Sequence, residues 1–145
     1  MASPRYIAKG VALFIAGTLA ACATVIPYEP NVALSREDAR AALKQAFEEQ
    51  PPKFRPIAIE IGDDAIRLGF SKVVGSQWGI ASIATRETYY YSNLEQPQLF
   101  QKGGRYQIEL SNREHSVRRW VLFYSQDKAF SFLDAVQRMR RAEKL

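Results

Sequence analysis

At Pro51-Pro52 the hydrophobic pattern of this chain changes its period. Before that pair, Ala39, Ala42, Leu43, Ala46 and Phe47 recur at i, i+3, i+4, i+7 and i+8, the spacing of one face of a helix. After it, Ile57, Ile59 and Ile61 alternate with Ala58 and Glu60; past Gly62-Asp63-Asp64, Ile66, Leu68 and Phe70 alternate with Ala65, Arg67 and Gly69. Neither proline can donate to a helix ladder, and each biases its predecessor away from helical angles. The chain must therefore leave a helix here and enter a β-hairpin. Ser35-Arg36-Glu37-Asp38 fits a capping box at the start of that helix, with Leu34 and Ala39 placed to staple it.

Further strands follow. Lys72 to Gln77 reads as a turn or bulge, and a third strand, rich in Ile, Thr and Tyr, runs from about Trp78 or Ile80 through Tyr91. Ser92 to Gly104 is irregular, with Leu99 and Phe100 tucked into the core or forming a short strand. Tyr106, Ile108 and Leu110 alternate again. Val117 to Tyr124 contains the run Trp120 to Tyr124, apolar on both faces, which fits a strand that is central or covered by a helix. The last helix starts near Ser125 or Asp127 and reaches about Ala142, with Ala129, Phe132, Leu133, Val136 and Met139 as its apolar stripe and Phe130 on the flank. Helix, several antiparallel strands, then helix gives an α+β domain. The expected form is a bent antiparallel β-sheet or partial barrel between an N-terminal helix and a C-terminal amphipathic helix; the alternative is a plain antiparallel sheet with both helices on one face.

The first residues follow a different logic. Arg5 and Lys9 precede the apolar run Val11 to Leu19, which ends in Leu19-Ala20-Ala21-Cys22. A basic region, an apolar region and small residues before a cut make a secretory signal. A bilayer-spanning helix needs about 20 apolar residues, more than Gly10 to Ala23 supply. Leu19-Ala20-Ala21-Cys22 resembles the lipobox of bacterial lipoproteins. That resemblance implies that residues 1–21 are a signal peptide and are removed, that the thiol of Cys22 is diacylated, with palmitate as the expected label, and that the protein is held on a membrane outside the cytoplasm. Ala23, where inner-membrane retention favours Asp, implies the outer membrane, periplasmic face, with the inner membrane or the cell surface as alternatives. Residues 22–34, with Pro27, Pro30 and Asn31, read as an extended lipidated tether, and residues 35–145 as a single domain.

Composition narrows the partners. Of 145 residues, 47% are hydrophobic and 24% charged, as in folded domains. Setting Arg5 and Lys9 aside from the 20 Lys and Arg leaves 18 basic against 15 acidic side chains, too even for a strong field. Nucleic acid is not an expected partner. With the single Cys used by lipid, no disulfide, metal-binding thiol or cofactor site is expected. The expected partners are membrane lipid, through Cys22, and an envelope protein.

The stretch from about Ile57 to Arg141 resembles a pleckstrin-homology-like domain, chiefly in its ending, where Trp120 to Tyr124 leads through Ser125 to Phe130 into a helix carrying Leu133, Val136 and Met139. The resemblance implies a bent antiparallel sheet or partial barrel closed by that helix. It carries over no ligand site, because Gly62-Asp63-Asp64 stands where phosphate-binding members place basic residues.

For chemistry, His115 is the only histidine and sits in a polar turn, Ser111 to His115. Gly75-Ser76-Gln77-Trp78-Gly79 lacks the spacing of a nucleophile elbow. Two surfaces remain as candidates for binding. If Tyr90 faces the core, Tyr89 and Tyr91 join Trp78 and Arg86 on an outer sheet face suited to a peptide, glycan or protein; otherwise that pair packs beneath a helix. Arg138, Arg140 and Arg141, with Lys144, suit lipid phosphates or an acidic protein, or simply complement the helix dipole. The expected function is a non-enzymatic interaction or structural module. The alternatives are a small-ligand carrier with a cavity in the bent sheet and, behind it, an envelope hydrolase built around His115.

Overall fold

The computed structural model describes residues 23–31 and 33–142; the signal read at residues 1–21 and the acylation read at Cys22 lie outside them. Helix α1 spans Arg36–Glu48 and helix α2 spans Gln126–Ala142. Ser35 caps α1, its Oγ accepting from Asp38 N at 3.0 Å and donating to Asp38 Oδ2 at 2.6 Å. Half of the capping box is thus present: the Ser35 hydroxyl takes the Asp38 N–H, and the Asp38 carboxylate reaches that hydroxyl instead of the Ser35 backbone N–H. The stripe expected on α1 buries Ala39, Leu43, Ala46 and Phe47. The stripe of α2 buries Ala129, Phe132, Leu133, Val136 and Met139, and Ala135 with them.

Seven strands lie between and before the helices: β1 (Thr24–Ile26), β2 (Ala58–Ile61), β3 (Ala65–Ser76), β4 (Gly79–Tyr90), β5 (Leu99–Lys102), β6 (Arg105–Ser111) and β7 (Arg118–Phe123). They form two antiparallel sheets, ordered β1-β5-β6-β7 and β2-β3-β4, and do not close into a barrel. The fold is α+β, as the pattern of periods requires. The helices pack on each other and against the inner sides of both sheets. Ile66, Leu68 and Tyr89 from one sheet and Leu99, Ile108, Leu110, Val121 and Phe123 from the other meet the helix stripes in one core. Phe132 stands edge-on to Phe47 at 5.8 Å and lies 5.4 Å from Phe123, so aromatic rings meet in the middle of the core.

Three local readings change. The segment expected as a tether is extended, but Thr24 to Ile26 pairs with Gln101 to Leu99 as an edge strand. Tyr28 then packs 5.6 Å from Phe130, donates to Asp134, and is followed by Asn31 N donating to Asp134 Oδ1 at 2.7 Å. Pairing and anchoring satisfy backbone groups that a free spacer leaves to water. Lys72 to Gln77 is no bulge: β3 runs through Ser76, and only Gln77 and Trp78 form the turn. Strand β7 is an edge rather than central, and the other expectation holds, since Val121 and Phe123 pack beneath α2 while Trp120 is exposed on the outer face beside Phe100. Gln50 covers that edge. Its Oε1 accepts from Leu122 N at 2.9 Å, and its Nε2 donates to Leu122 O at 3.0 Å.

Two glycines do what no other residue does as well. Gly103 and Gly104, at φ +56° and +74°, form the two-residue turn joining Lys102 to Arg105, where both positions need positive φ.

Candidate functional site

Strand β2 stops pairing with β3 at Ala58↔Gly69, whereas β3 and β4 continue together from Ala65↔Tyr90 to Ser76↔Gly79. Beyond Gly69 the hairpin is therefore a two-stranded ribbon leaving the body of the domain, and every residue from Ser71 to Arg86 is exposed. Gly79, at φ +137°, lets the chain reverse after Gln77-Trp78. Directly paired residues share a face. Lys72, Val74, Ala81 and Ile83 lie on one side, Val73, Gly75, Ile80 and Ser82 on the other, and Trp78 at the apex.

The ribbon carries no charge from Val73 to Thr85. It exposes Trp78 by 88%, Ile80 by 82%, Val73 by 67%, Ile83 by 50% and Val74 by 37%. Natural edges of this kind are ordinarily broken by charge, proline or a covering element. The first charges are Lys72 and Arg86, one on each face at the ribbon's neck. Arg86 also borders a groove of about 310 Å³ lined by Ile57, Ile59, Arg67 and Phe70.

The neck is held firmly. Arg119 Nε donates to Glu87 Oε2 at 2.7 Å and Nη2 to Oε1 at 2.6 Å, and the guanidinium lies 3.7 Å over the Phe70 ring. Tyr89 OH donates to Glu87 Oε2 at 2.8 Å. Burial, reinforced by the Glu87 charge, raises the Tyr89 phenol well above its ordinary value. Burial alone pulls the Arg119 guanidinium down, and the Glu87 bonds outweigh it, leaving Arg119 raised.

Of the residues singled out in sequence, Trp78 and Arg86 lie on this ribbon. Tyr89 and Tyr91 do not belong to a surface: they are 0% and 2% exposed, and it is Tyr90 that faces outward. The parity follows from β3, since Tyr89 pairs with the core residue Ile66 and shares its face. Burial also raises the Tyr91 phenol. The basic helix end is partly internal. Arg140 Nη1 donates to Gln96 Oε1 at 2.7 Å, Arg138 is half-buried, and only Arg141 is exposed. Burial, with Arg113 nearby, lowers Arg140. Asp63 pairs with Arg36 and Arg40, and Asp64 with Arg67 at 2.8 Å, which fastens the β2–β3 turn to α1 and to β3.

His115 is not isolated. Its Nδ1 lies 3.1 Å from Ser111 Oγ and 3.4 Å from Glu95 Oε2, beside a shallow concavity of about 200 Å³. A serine relay needs one ring nitrogen for the serine and the other for the carboxylate. Here both partners meet Nδ1, and Ser111 Oγ donates to Asn112 O at 3.0 Å. The arrangement braces the β6–β7 turn, in which His115 sits at φ +53°. Among the described residues no group of three or more His, Cys, Asp or Glu is placed to hold a metal ion, and no helix is long and apolar enough to cross a membrane.

No protein-family model, no curated protein and no solved structure matches the chain. The ribbon itself was missed in sequence because Gly75, Ser76 and Gln77 look like a turn. The absence of charge from Val73 to Thr85, beside two isoleucines and a tryptophan, is the signal that marks it.

Proposed function

We propose that this chain is a lipid-anchored envelope protein whose domain acts as a non-enzymatic interaction module, with the β3–β4 ribbon as its contact surface. The single observation that carries the reading is the ribbon: five exposed apolar side chains on both faces and at the apex of an uncharged projection. Surfaces of that kind mark interaction sites. The anchor is Cys22, acylated after removal of residues 1–21, on the periplasmic face of the outer membrane. Two or more acyl chains hold such a protein where one alone does so marginally. The pleckstrin-homology-like reading of the domain is supported by the two sheets and the closing helix. Strand β1 begins two residues after Cys22, so the anchor would hold the folded body against the lipid without a slack spacer.

The reading is tested in cells producing the full chain. Palmitate should label the wild type and not Cys22→Ser. A photo-crosslinking residue in place of Trp78 should capture a reproducible envelope partner, another copy of this chain included, while the same residue in place of exposed Glu37 on α1 should not. Equal labelling of both chains removes the anchor, and equal capture from both positions removes the ribbon as contact surface.

A further inference from the structure

We infer that the occupant of the ribbon is a second copy of this chain, joined through strand β4. This rests on the reading of the ribbon as contact surface and names its partner. Among the described residues, strand β4 is an edge in the order β2-β3-β4, and no strand lies beside its outward backbone N–H and C=O groups. Lipid hydrocarbon cannot pair such groups, whereas another strand can.

The segment from Gly79 to Thr85 is also complementary to itself. An antiparallel pairing of two β4 edges about a two-fold axis at Ser82 sets Ile80 opposite Ala84 of the other copy and Ala81 opposite Ile83. Each large side chain meets a small one. The same register brings no two like charges face to face. The result is a continuous sheet β2-β3-β4-β4-β3-β2. Ile80 and Ile83, which line the seam, are 82% and 50% exposed, so the pairing has apolar surface to cover.

Ser82→Cys in the full chain, oxidised mildly in intact membranes, tests the pairing. The expected product is a disulfide-linked dimer joined at position 82, absent from wild type. Adding Ile83→Lys should reduce it by about tenfold or more, because the isoleucine is lost from the seam. Ser82→Cys made in a Cys22→Ser chain should still give the linked dimer. Loss of acyl labelling with the dimer intact therefore overturns the anchor alone, and loss of the dimer with labelling intact overturns the pairing alone. Sedimentation of the unmodified chain in detergent gives an independent readout, expected at twice the chain mass. A monomer there, a linked product containing only another protein, or a dimer indifferent to Ile83→Lys overturns the inference. So does quenching of Trp78 by brominated lipid in a monomeric Trp120→Phe chain, which assigns the ribbon to a lipid surface.

Discussion

Gln50 does for β7 what a neighbouring strand would do, giving and taking one hydrogen bond at Leu122 while its Nε2 also donates to Ala46 O at 2.9 Å. It is 3% exposed, so water cannot replace it. Gln50→Leu should cost about 1–3 kcal/mol, the penalty of leaving buried backbone groups unpaired, seen as a lower urea midpoint with unchanged slope. Glu87→Gln keeps the shape of the ribbon's neck but removes the charge-assisted fork to Arg119, with an expected loss of about 2 kcal/mol. The same measurement repeated with Arg119→Ala and with the double variant should show the two losses failing to add. Glu49 sets a pH dependence. Hydrogen bonds from Lys128 first and Gln45 second hold its carboxyl below the ordinary 4.5. A depressed carboxyl stabilises fully above its unfolded value, and that contribution is lost as pH falls through the folded value. Stability should therefore hold down to about pH 5 and decline below about pH 4.5, with Lys128→Met removing part of the decline. The pair is exposed, so the part removed is small. A decline unchanged in Lys128→Met would assign it to other carboxylates, such as Asp64, which Arg67 lowers in the same way.

The hairpin β3–β4 has two halves that obey different rules. Its inner half packs Ile66, Leu68 and Tyr89 into the core. The outer half, with β2 gone, is a two-stranded ribbon of the kind that is marginal alone in water. At dilutions where the chain is monomeric, Trp78→Ser should shift the unfolding midpoint by no more than about 0.5 kcal/mol, whereas Tyr89→Ala should cost about 3–5 kcal/mol. Amide exchange should follow the same division, fast from Lys72 to Ala84 and slow at Ile66 and Leu68. The contrast also explains how much of this molecule could be read from its residues. Ala39 to Phe47 and Ala129 to Met139 face one core each turn, so their helical period was unambiguous, and Ile57 to Phe70 was equally clear as a hairpin. In β4 the apolar residues define no face, since Ile80 and Ile83 lie on opposite sides. The parity of Tyr89, Tyr90 and Tyr91 was therefore open until the pairing with Ile66 fixed it. Division of the strands into two sheets, and the recruitment of Thr24 to Ile26 by Leu99 to Gln101, depend on partners far apart in sequence, which local periodicity does not encode. Of the candidate site, Trp78 and Arg86 were singled out only on the condition that Tyr90 face the core, which it does not, and the projection that joins them was not legible.

At the scale of the whole molecule, the N-terminal segment decides how the domain is presented. A free tether of a dozen residues would let the domain wander and would be open to proteolysis along its length. Instead the chain is fixed at β1 and again at Tyr28, where Phe130 takes the ring and Asp134 takes the hydroxyl. Burial and the Asp134 carboxylate both raise the Tyr28 phenol, so that bond persists throughout the neutral range. The Asn31 amide, which donates to Asp134 Oδ1, exchanges with solvent when the segment opens locally, so its exchange rate reports the strength of the clamp. In the unaltered chain that exchange should be slow. Tyr28→Ala removes both contacts and should speed it by about tenfold or more, the equivalent of ~1.4 kcal/mol. Tyr28→Phe, which keeps the ring on Phe130 and loses only the hydroxyl bond, should fall between the two. Rapid exchange at Asn31 in the unaltered chain, with Ile66 and Leu68 still protected, would mean that the segment is a free spacer after all and that the body is not held close to its anchor.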